Sequence, residues 1–324
     1  MDQSVAPAHP LSTVSDLAGL DAGLAPLSMM AGWSKVEPSL WPEPQAHHEA
    51  AAWRYADARA GLDAAGGLIS AEQAERRNLF LVNPVDGNDY PTARTLVSAY
   101  QMILPGEQAR SHRHSPNALR LVLDVEPGTY TVVDGVRIDM EPGDVLLTPG
   151  GCWHGHGNDG AAPGYWIDYL DVPLVHLLEP MFLQWHPDGC EEATSATRES
   201  PYVFAWADTE RRLTAATPDE HGRTRVQLGD PALPTMALFM EALAAGATTG
   251  PLRSTAHQVV TCVSGSGTTR VGDTVIAWER GDVLALPGWT SHEHCASADT
   301  VLFTVTDEPV MTKLGLLRSA PYDA

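Results

Sequence analysis

Before Arg94 the chain carries most of its helical signal, and after it short β-branched runs alternate with turn pairs. In the N-terminal stretch, Trp53 to Gly61 and Ser70 to Leu81 read as helical, the second opened by the capping-box pattern Ser70-Ala71-Glu72-Gln73. Everything ahead of Gly32 is rich in Ala, Pro and Ser, so partial mobility is expected there. Beyond Arg94, runs such as Arg120 to Val125 and Thr129 to Val133 are separated by turns at Asp134-Gly135 and Pro142-Gly143-Asp144. These are the marks of an antiparallel all-β unit.

A second such unit begins near Val259, and the two match at a constant offset through their later halves. Asp134-Gly135 corresponds to Gly272-Asp273, Gly143-Asp144 to Gly281-Asp282, Pro149 to Pro287, His154 to His292 and His156 to His294. The chain therefore reads as a duplication, dominated by β structure. Residues 1–94 are expected to form an N-terminal helical or extended segment and 95–173 the first β unit. A linker, 174–247, carries a predicted helix from Pro234 to Ala245, and 248–324 form the second unit.

Length and composition constrain the function classes. The 324 residues, 44% of them apolar, suffice for one large or two ordinary cores. A formal charge of −21 argues against phosphate-dominated binding of nucleic acid and against an anionic membrane surface. A small anionic ligand remains compatible, because a local cluster of arginines outweighs an exterior screened beyond a Debye length. There is no basic start followed by an apolar run and no membrane-length apolar stretch, so a cytoplasmic protein is expected. Cys152, Cys190, Cys262 and Cys295 are widely spaced and read as free thiols. Cys152 and Cys295 lie near histidines and could ligate a soft metal, but small buried hydrophobe is the expected role.

The chemistry is concentrated in the first unit. Gly106-x5-His112-x-His114 is followed by Gly143-x5-Pro149-x-Gly151-x2-His154-x3-Asn158, spacings that resemble the two signature motifs of the cupin superfamily. A His-x-His pair on a strand puts both imidazoles on one face. With His154 from a neighbouring strand they make a facial triad with open positions. Such a site suits iron(II), one per subunit, though manganese, zinc, nickel or copper could also occupy it. The Glu expected three or four residues after His114 is missing. Three neutral ligands keep the full charge of a divalent ion, which favours a bidentate dianion such as an ortho-hydroxy carboxylate and leaves a position for dioxygen. In the second unit Thr255 aligns with the first His, His257 with the second and His292 with the third. That half reads as a structural barrel with at most weak metal binding.

On these residues the chain resembles the gentisate 1,2-dioxygenase family, which includes salicylate and 1-hydroxy-2-naphthoate dioxygenases. The resemblance runs through Trp53-Arg54-Tyr55, the stretch from Ala65 to Arg77, Leu104 to Glu107, His112 to Arg120, Trp153 to Asn158, Trp166 to Asp171 and Asp307 to Gly315. It implies an all-β-dominated bicupin with an N-terminal helical segment, assembled as a homotetramer. The reaction implied is oxygen-dependent cleavage of the ring bond between the carboxyl-bearing and hydroxyl-bearing carbons.

Matched residue by residue, His112, His114 and His154 are the implied iron ligands. Arg120 and His156 hold the substrate carboxylate, Arg76, Gln101 and Asp168 line the pocket with Val97 and Ala99, and His156 and Asp168 are the catalytic candidates. The spacing agrees for Arg120, six residues beyond His114 and thus on the same strand face if no bulge intervenes. For Arg76 and Arg77, solvent-exposed positions on a helix are an equal expectation. Gly155 stands where the family often has Asp and Val97 where a large aromatic is common, changes expected to enlarge the pocket or make it less polar. Gentisate is the first expectation. Salicylate, 5-nitro- or 5-halosalicylate and 1-hydroxy-2-naphthoate are alternatives, as are a non-catalytic sensor of an aromatic acid and a metal-dependent isomerase or oxalate-type enzyme.

Overall fold

A computed structural model describes residues 9–321. Residues 9–45 form a unit of short helices, among them Leu17–Leu24, whose Asp16 side chain accepts a hydrogen bond from the Gly19 amide at 2.7 Å. Ala, Pro and Ser here make local helical turns where the composition suggests mobility. Residues 1–8 lie outside the described part.

The remainder is built from two barrels of two sheets each. In the first, a six-stranded sheet runs in the order Val203–Phe204, Val145–Thr148, Ala118–Asp124, Gly164–Leu170, Val97–Ile103, Arg77–Phe80. Its partner sheet runs Leu183–Trp185, Gln108–His114, His154–Asn158, Thr129–Val133, Val136–Asp139, Ser195–Ala196. The second barrel repeats the plan, with Ala51–Trp53, Val283–Leu286, Gln258–Ser264, Thr300–Thr306, Ala237–Leu243 and Thr224–Leu228 in one sheet. The other is Thr274–Glu279, Ser266–Val271, His292–Ala296, Leu252–Ser254 and Ser319–Pro321.

The barrels share one core. Leu119, Leu121, Ile167 and Tyr169 of the first pack with Val259, Phe303 and Val305 of the second. The Tyr169 ring meets Phe303 edge-on at 5.6 Å, and its hydroxyl lies 2.5 Å from Thr261 Oγ1. Sheets covered on both faces need apolar residues at consecutive positions, which is why Val97–Ile103 is buried throughout instead of alternating.

The duplication extends further upstream than the sequence matches reach. Ala51–Trp53 joins the second barrel beside Val283–Leu286, and Val203–Phe204 joins the first beside Val145–Thr148, so each barrel borrows a strand from the segment preceding the other. Each borrowed strand leads into a helix, Tyr55–Leu68 or Trp206–Ala215, then into a strand and a barrel. The Tyr55 amide donates to Asp282 Oδ1 at 2.9 Å and the Trp206 amide to Asp144 Oδ1 at 2.9 Å, so the matched Gly-Asp turns cap matched helices. Gly281 and Gly143 have φ of +88° and +85°; a Cβ there would stand 2.5 Å from the Tyr55 ring and 2.9 Å from the Trp206 ring.

Three local expectations are corrected. The helix at Tyr55–Leu68 starts after Trp53, which lies in a strand. The Ser70 capping box is present, but its helix covers Ala71–Ala74 alone. Glu75, at φ +57°, ends it, and Arg77–Phe80 pairs with Val97–Ile103. The helix expected from Pro234 to Ala245 is instead the strand Ala237–Leu243, paired on both sides, because a dense apolar run has no period of its own and the shared core decides its state. Among the described residues no helix is long and apolar enough to cross a membrane.

Candidate metal centre and substrate pocket

His112 and His114 occupy alternate positions at the end of Gln108–His114, and His154 opens the neighbouring strand directly across from His112. One ligating atom from each of the three lies within 4.8 Å of the others. The tautomers of two rings follow from their backbone contacts. His114 Nδ1 lies 2.8 Å from the Pro116 carbonyl and His154 Nδ1 3.1 Å from the Cys152 carbonyl, so the proton sits on Nδ1 and Nε2 keeps its lone pair. Burial, with the nearby Arg76, His114 and Arg120, pushes His112 down to about 2; His114 is lowered and His154 lies well below the ordinary range, again chiefly through burial. Three neutral, convergent imidazoles are a fitting donor set for a divalent transition metal.

The triad lines a cavity of about 260 Å³ together with Arg76, Asn78, Val97, Ala99, Gln101, Arg120 and Asp168. Arg120 does not reach it by sharing a strand face with His114. A turn at 115–117 separates the two, and Arg120 lies on Ala118–Asp124 in the opposite sheet, directly across from Asp168. Its Nε is 3.3 Å from Asp168 Oδ1, and both side chains are buried. Burial raises the Asp168 carboxyl, opposed by Arg120, by the Trp166 indole N–H at 3.1 Å and by Arg76. Arg76 sits past the end of its short helix, half-buried, and its Nη2 donates to the Arg110 carbonyl at 3.3 Å. Burial and Arg120 lower it to about 10. Arg77, by contrast, begins a strand and is buried in a bidentate pair with Glu107, away from the pocket. Two guanidiniums against one carboxylate leave the cavity positive inside a strongly acidic chain.

His156 is on the same face of its strand as His154 but does not border the cavity. It lies behind Gln101, whose Nε2 is 2.7 Å from His156 Nε2, and against the Trp166 ring at 5.0 Å. Val97 and Ala99 do line the cavity. Gly155 does not: a Cβ there would point at Ser111 Oγ, 2.6 Å away on the other face of the strand, so its lack of a side chain leaves the pocket unchanged.

Several lining residues were not picked out from the sequence, among them Asn78, Phe80, Tyr90 and Leu183. Asn78 and Tyr90 line the pocket from the segment read as helical or extended. Leu183–Trp185, from the expected linker, pairs with the His-x-His strand and sets Trp185 edge-on to His112 at 5.4 Å. The alternating Leu183-Gln184-Trp185 between Pro180 and Pro187 was the signal for that strand.

In the second barrel, Leu252 is the residue across from His292, where His112 stands across from His154. His257 is the counterpart of Asn117 and not of His114. Its amide donates to Asp307 Oδ1 at 2.7 Å, as that of Asn117 does to Asp171 Oδ1 at 2.8 Å. Its ring is spent on Asp307, 3.1 Å away. The four cysteines are free thiols, but Cys295 is exposed and Cys152 half-buried, so neither is the fully buried hydrophobe expected.

Two β barrels in one chain, one carrying a histidine triad on a cationic pocket, define a bicupin with a candidate metal centre, and residues 99–172 match the cupin domain family. The chain is 34% identical to 5-aminosalicylate 1,2-dioxygenase of Comamonas sp, over 97% of its own length and 93% of that protein's. It is 33% identical to gentisate 1,2 dioxygenase 1 of Aquipseudomonas alcaligenes, over 92% of each. The crystal structure of salicylate 1,2-dioxygenase from Pseudaminobacter salicylatoxidans superimposes with a TM-score of 0.86 at 26% identity, covering 94% of this chain and 97% of that one. The chain belongs to the gentisate 1,2-dioxygenase family of ring-cleaving dioxygenases.

Proposed function

We propose that this protein is an iron(II)-dependent dioxygenase that opens gentisate, 2,5-dihydroxybenzoate, to maleylpyruvate, with His112, His114 and His154 holding the metal. The observation that carries this reading is the convergence of three neutral imidazoles on a pocket whose remaining charge is cationic. Bound there, iron(II) would supply the site at which an ortho-hydroxy carboxylate chelates and dioxygen is activated.

The protein's own groups account for the rest. Arg76, with no carboxylate partner among the described residues, receives the substrate carboxylate, and Arg120, held by Asp168, adds a second positive charge beside it. Asp168, with its carboxyl raised by burial, takes the phenolic proton at Oδ1 as the ortho oxygen becomes anionic. Gln101 is fixed in the pocket by His156, which makes His156 a positioning residue. Val97, Ala99 and Leu183 supply the apolar wall for the ring. The cavity falls just below the roughly 300–1,000 Å³ of pockets for drug-sized ligands, which favours one ring over a fused pair.

Asn78 has an amide that both donates and accepts, matching a hydroxyl at the 5-position. The same amide suits an amino group, and the relative acting on 5-aminosalicylate supports that acid as the second reading. The family resemblance supports a cytoplasmic homotetramer with one iron per subunit, to be measured by light scattering and metal analysis. The deciding experiment is anaerobic reconstitution with iron(II), followed by gentisate or 5-aminosalicylate in an oxygen electrode. One dioxygen consumed per gentisate, with loss of aromatic absorbance, is expected. Binding of gentisate without oxygen uptake would refute the assignment.

A further inference from the structure

A second polar cavity, of about 290 Å³, lies apart from the substrate pocket and shares none of its lining residues. It is bordered by His47, His48, Arg94 and the loop 85–88. His48 is 7% exposed, and neither of its ring nitrogens has a hydrogen-bond partner among the described residues. Leaving such a group unsatisfied is costly, so a buried imidazole on the wall of a cavity calls for a hydrogen-bonding occupant, a water or a ligand. Arg94 is exposed at the rim and makes no ion pair among the described residues.

The walls are fixed relative to each other. Asn83 Oδ1 accepts from the Glu49 amide at 3.2 Å and Asn83 Nδ2 donates to the Glu49 carbonyl at 2.8 Å, which anchors the residue next to His48. Asn88 Nδ2 donates at 2.9 Å to both the Asn83 and Pro91 carbonyls, closing the loop that forms the opposite wall. Burial, followed by the neighbouring His257, Arg94 and His47, pushes His48 down to about 4. Every one of those neighbours is a positive or potentially positive group. The single carboxylate on the lining, Asp86, is exposed. In a chain of net charge −21, a concave cluster of one guanidinium and two imidazoles has the chemistry of an anion receptor.

We propose that this cavity binds a small oxyanion, a phosphate or a carboxylate, gripped by Arg94 and by the His47 and His48 imidazoles. The test is isothermal titration of the iron-reconstituted full chain with inorganic phosphate in one arm and acetate in the other. A saturable site in at least one arm is expected, and the arm that responds identifies the anion. Its affinity falls at least about tenfold in Arg94→Gln and in His48→Gln, the loss of one charge-assisted contact. It is unchanged in Arg76→Gln, which separates it from the substrate pocket. Arg94 is on the surface, so its variant tests binding without risk to the fold. Absence of saturable heat in both arms, or an isotherm insensitive to Arg94→Gln, would overturn the proposal. The readout does not involve ring cleavage, so it stands or falls independently of the substrate assignment.

Discussion

The two barrels share a plan down to single hydrogen bonds, yet the cavity of the first reaches a histidine triad, whereas the matching hollow of the second is walled by Phe239 and reaches no histidine. Register pairs the key positions: Ala99 lies across from Asp168 in the first barrel and Phe239 across from Thr304 in the second. Asn78 lies across from Gln101, and Arg225 across from Glu241, where they form an ion pair at 2.8 Å. Arg120 has Val260 as its counterpart, by their pairing with Asp168 and Thr304. Phe239 thus takes the room that Ala99 leaves free, with the Arg225 guanidinium stacked 3.5 Å over its ring. What both barrels retain is architecture: Asp171 and Asp307 accept from Thr235 and Thr95 at 2.5 and 2.6 Å, and the Gly-Asp turns cap the matched helices. Selection for packing keeps caps and turns, whereas a catalytic pocket is lost by a handful of side-chain changes.

The largest effect expected from breaking this comparison is at the metal ligands. His154→Ala should lower metal retention by more than about 100-fold, beyond the roughly 10–100-fold cost of altering a group that only orients a ligand, and abolish turnover. The matched His292→Ala should change neither, as metal analysis and oxygen uptake would register. Next, Ala99→Phe imports the second barrel's phenylalanine. It should remove ring cleavage while leaving a folded protein by circular dichroism, at a stability cost of about 1–3 kcal/mol from overpacking. Arg76→Gln should lower kcat/KM by roughly 10–100-fold, the worth of one charge-assisted contact, with the metal still bound.

Smaller effects test the shared architecture. Asp144→Asn and Asp282→Asn each remove half of an ion pair and weaken a helix cap. Both should lower the unfolding free energy from urea titration by a similar amount, about 1–3 kcal/mol, if the two turns are equivalent. The smallest concerns Asp124, which bonds the Tyr55 hydroxyl at 2.8 Å, Arg59 at 2.9 Å and Arg280 at 2.8 Å, joining the long N-terminal helix to both barrels. Burial raises its carboxyl, but Tyr55, Arg280 and Arg59 outweigh this and leave it lowered. A carboxyl depressed in the folded state stabilises above the ordinary Asp range and loses that contribution as pH falls through its folded value. Asp124→Asn should therefore cost under about 1 kcal/mol at neutral pH, with the gap from the parent closing on acidification.

Period-two alternation, turn pairs and the glycine and proline spacings made the barrels, the duplication and the triad legible, because each is a local rule written in adjacent residues. The failures lie where distant parts decide. Ala237–Leu243 is apolar at almost every position and gains its strand state from neighbours on both sides. Counting along one strand puts Arg120 beside His114, whereas a turn sends it into the opposite sheet. Thr255-x-His257 echoes the spacing of His112-x-His114, but the backbone bond of His257 to Asp307 makes it a structural group. Gly155 invites a reading as lost bulk in the pocket, and only the pleat tells which face it is on.

The most direct measurement is anomalous X-ray diffraction at the iron edge from crystals reconstituted anaerobically with iron(II). One peak per chain, bonded to His112, His114 and His154, with nothing beside His292, is predicted. A peak lodged in the second barrel, or a vacant first barrel in protein that still consumes oxygen with gentisate, would contradict the account.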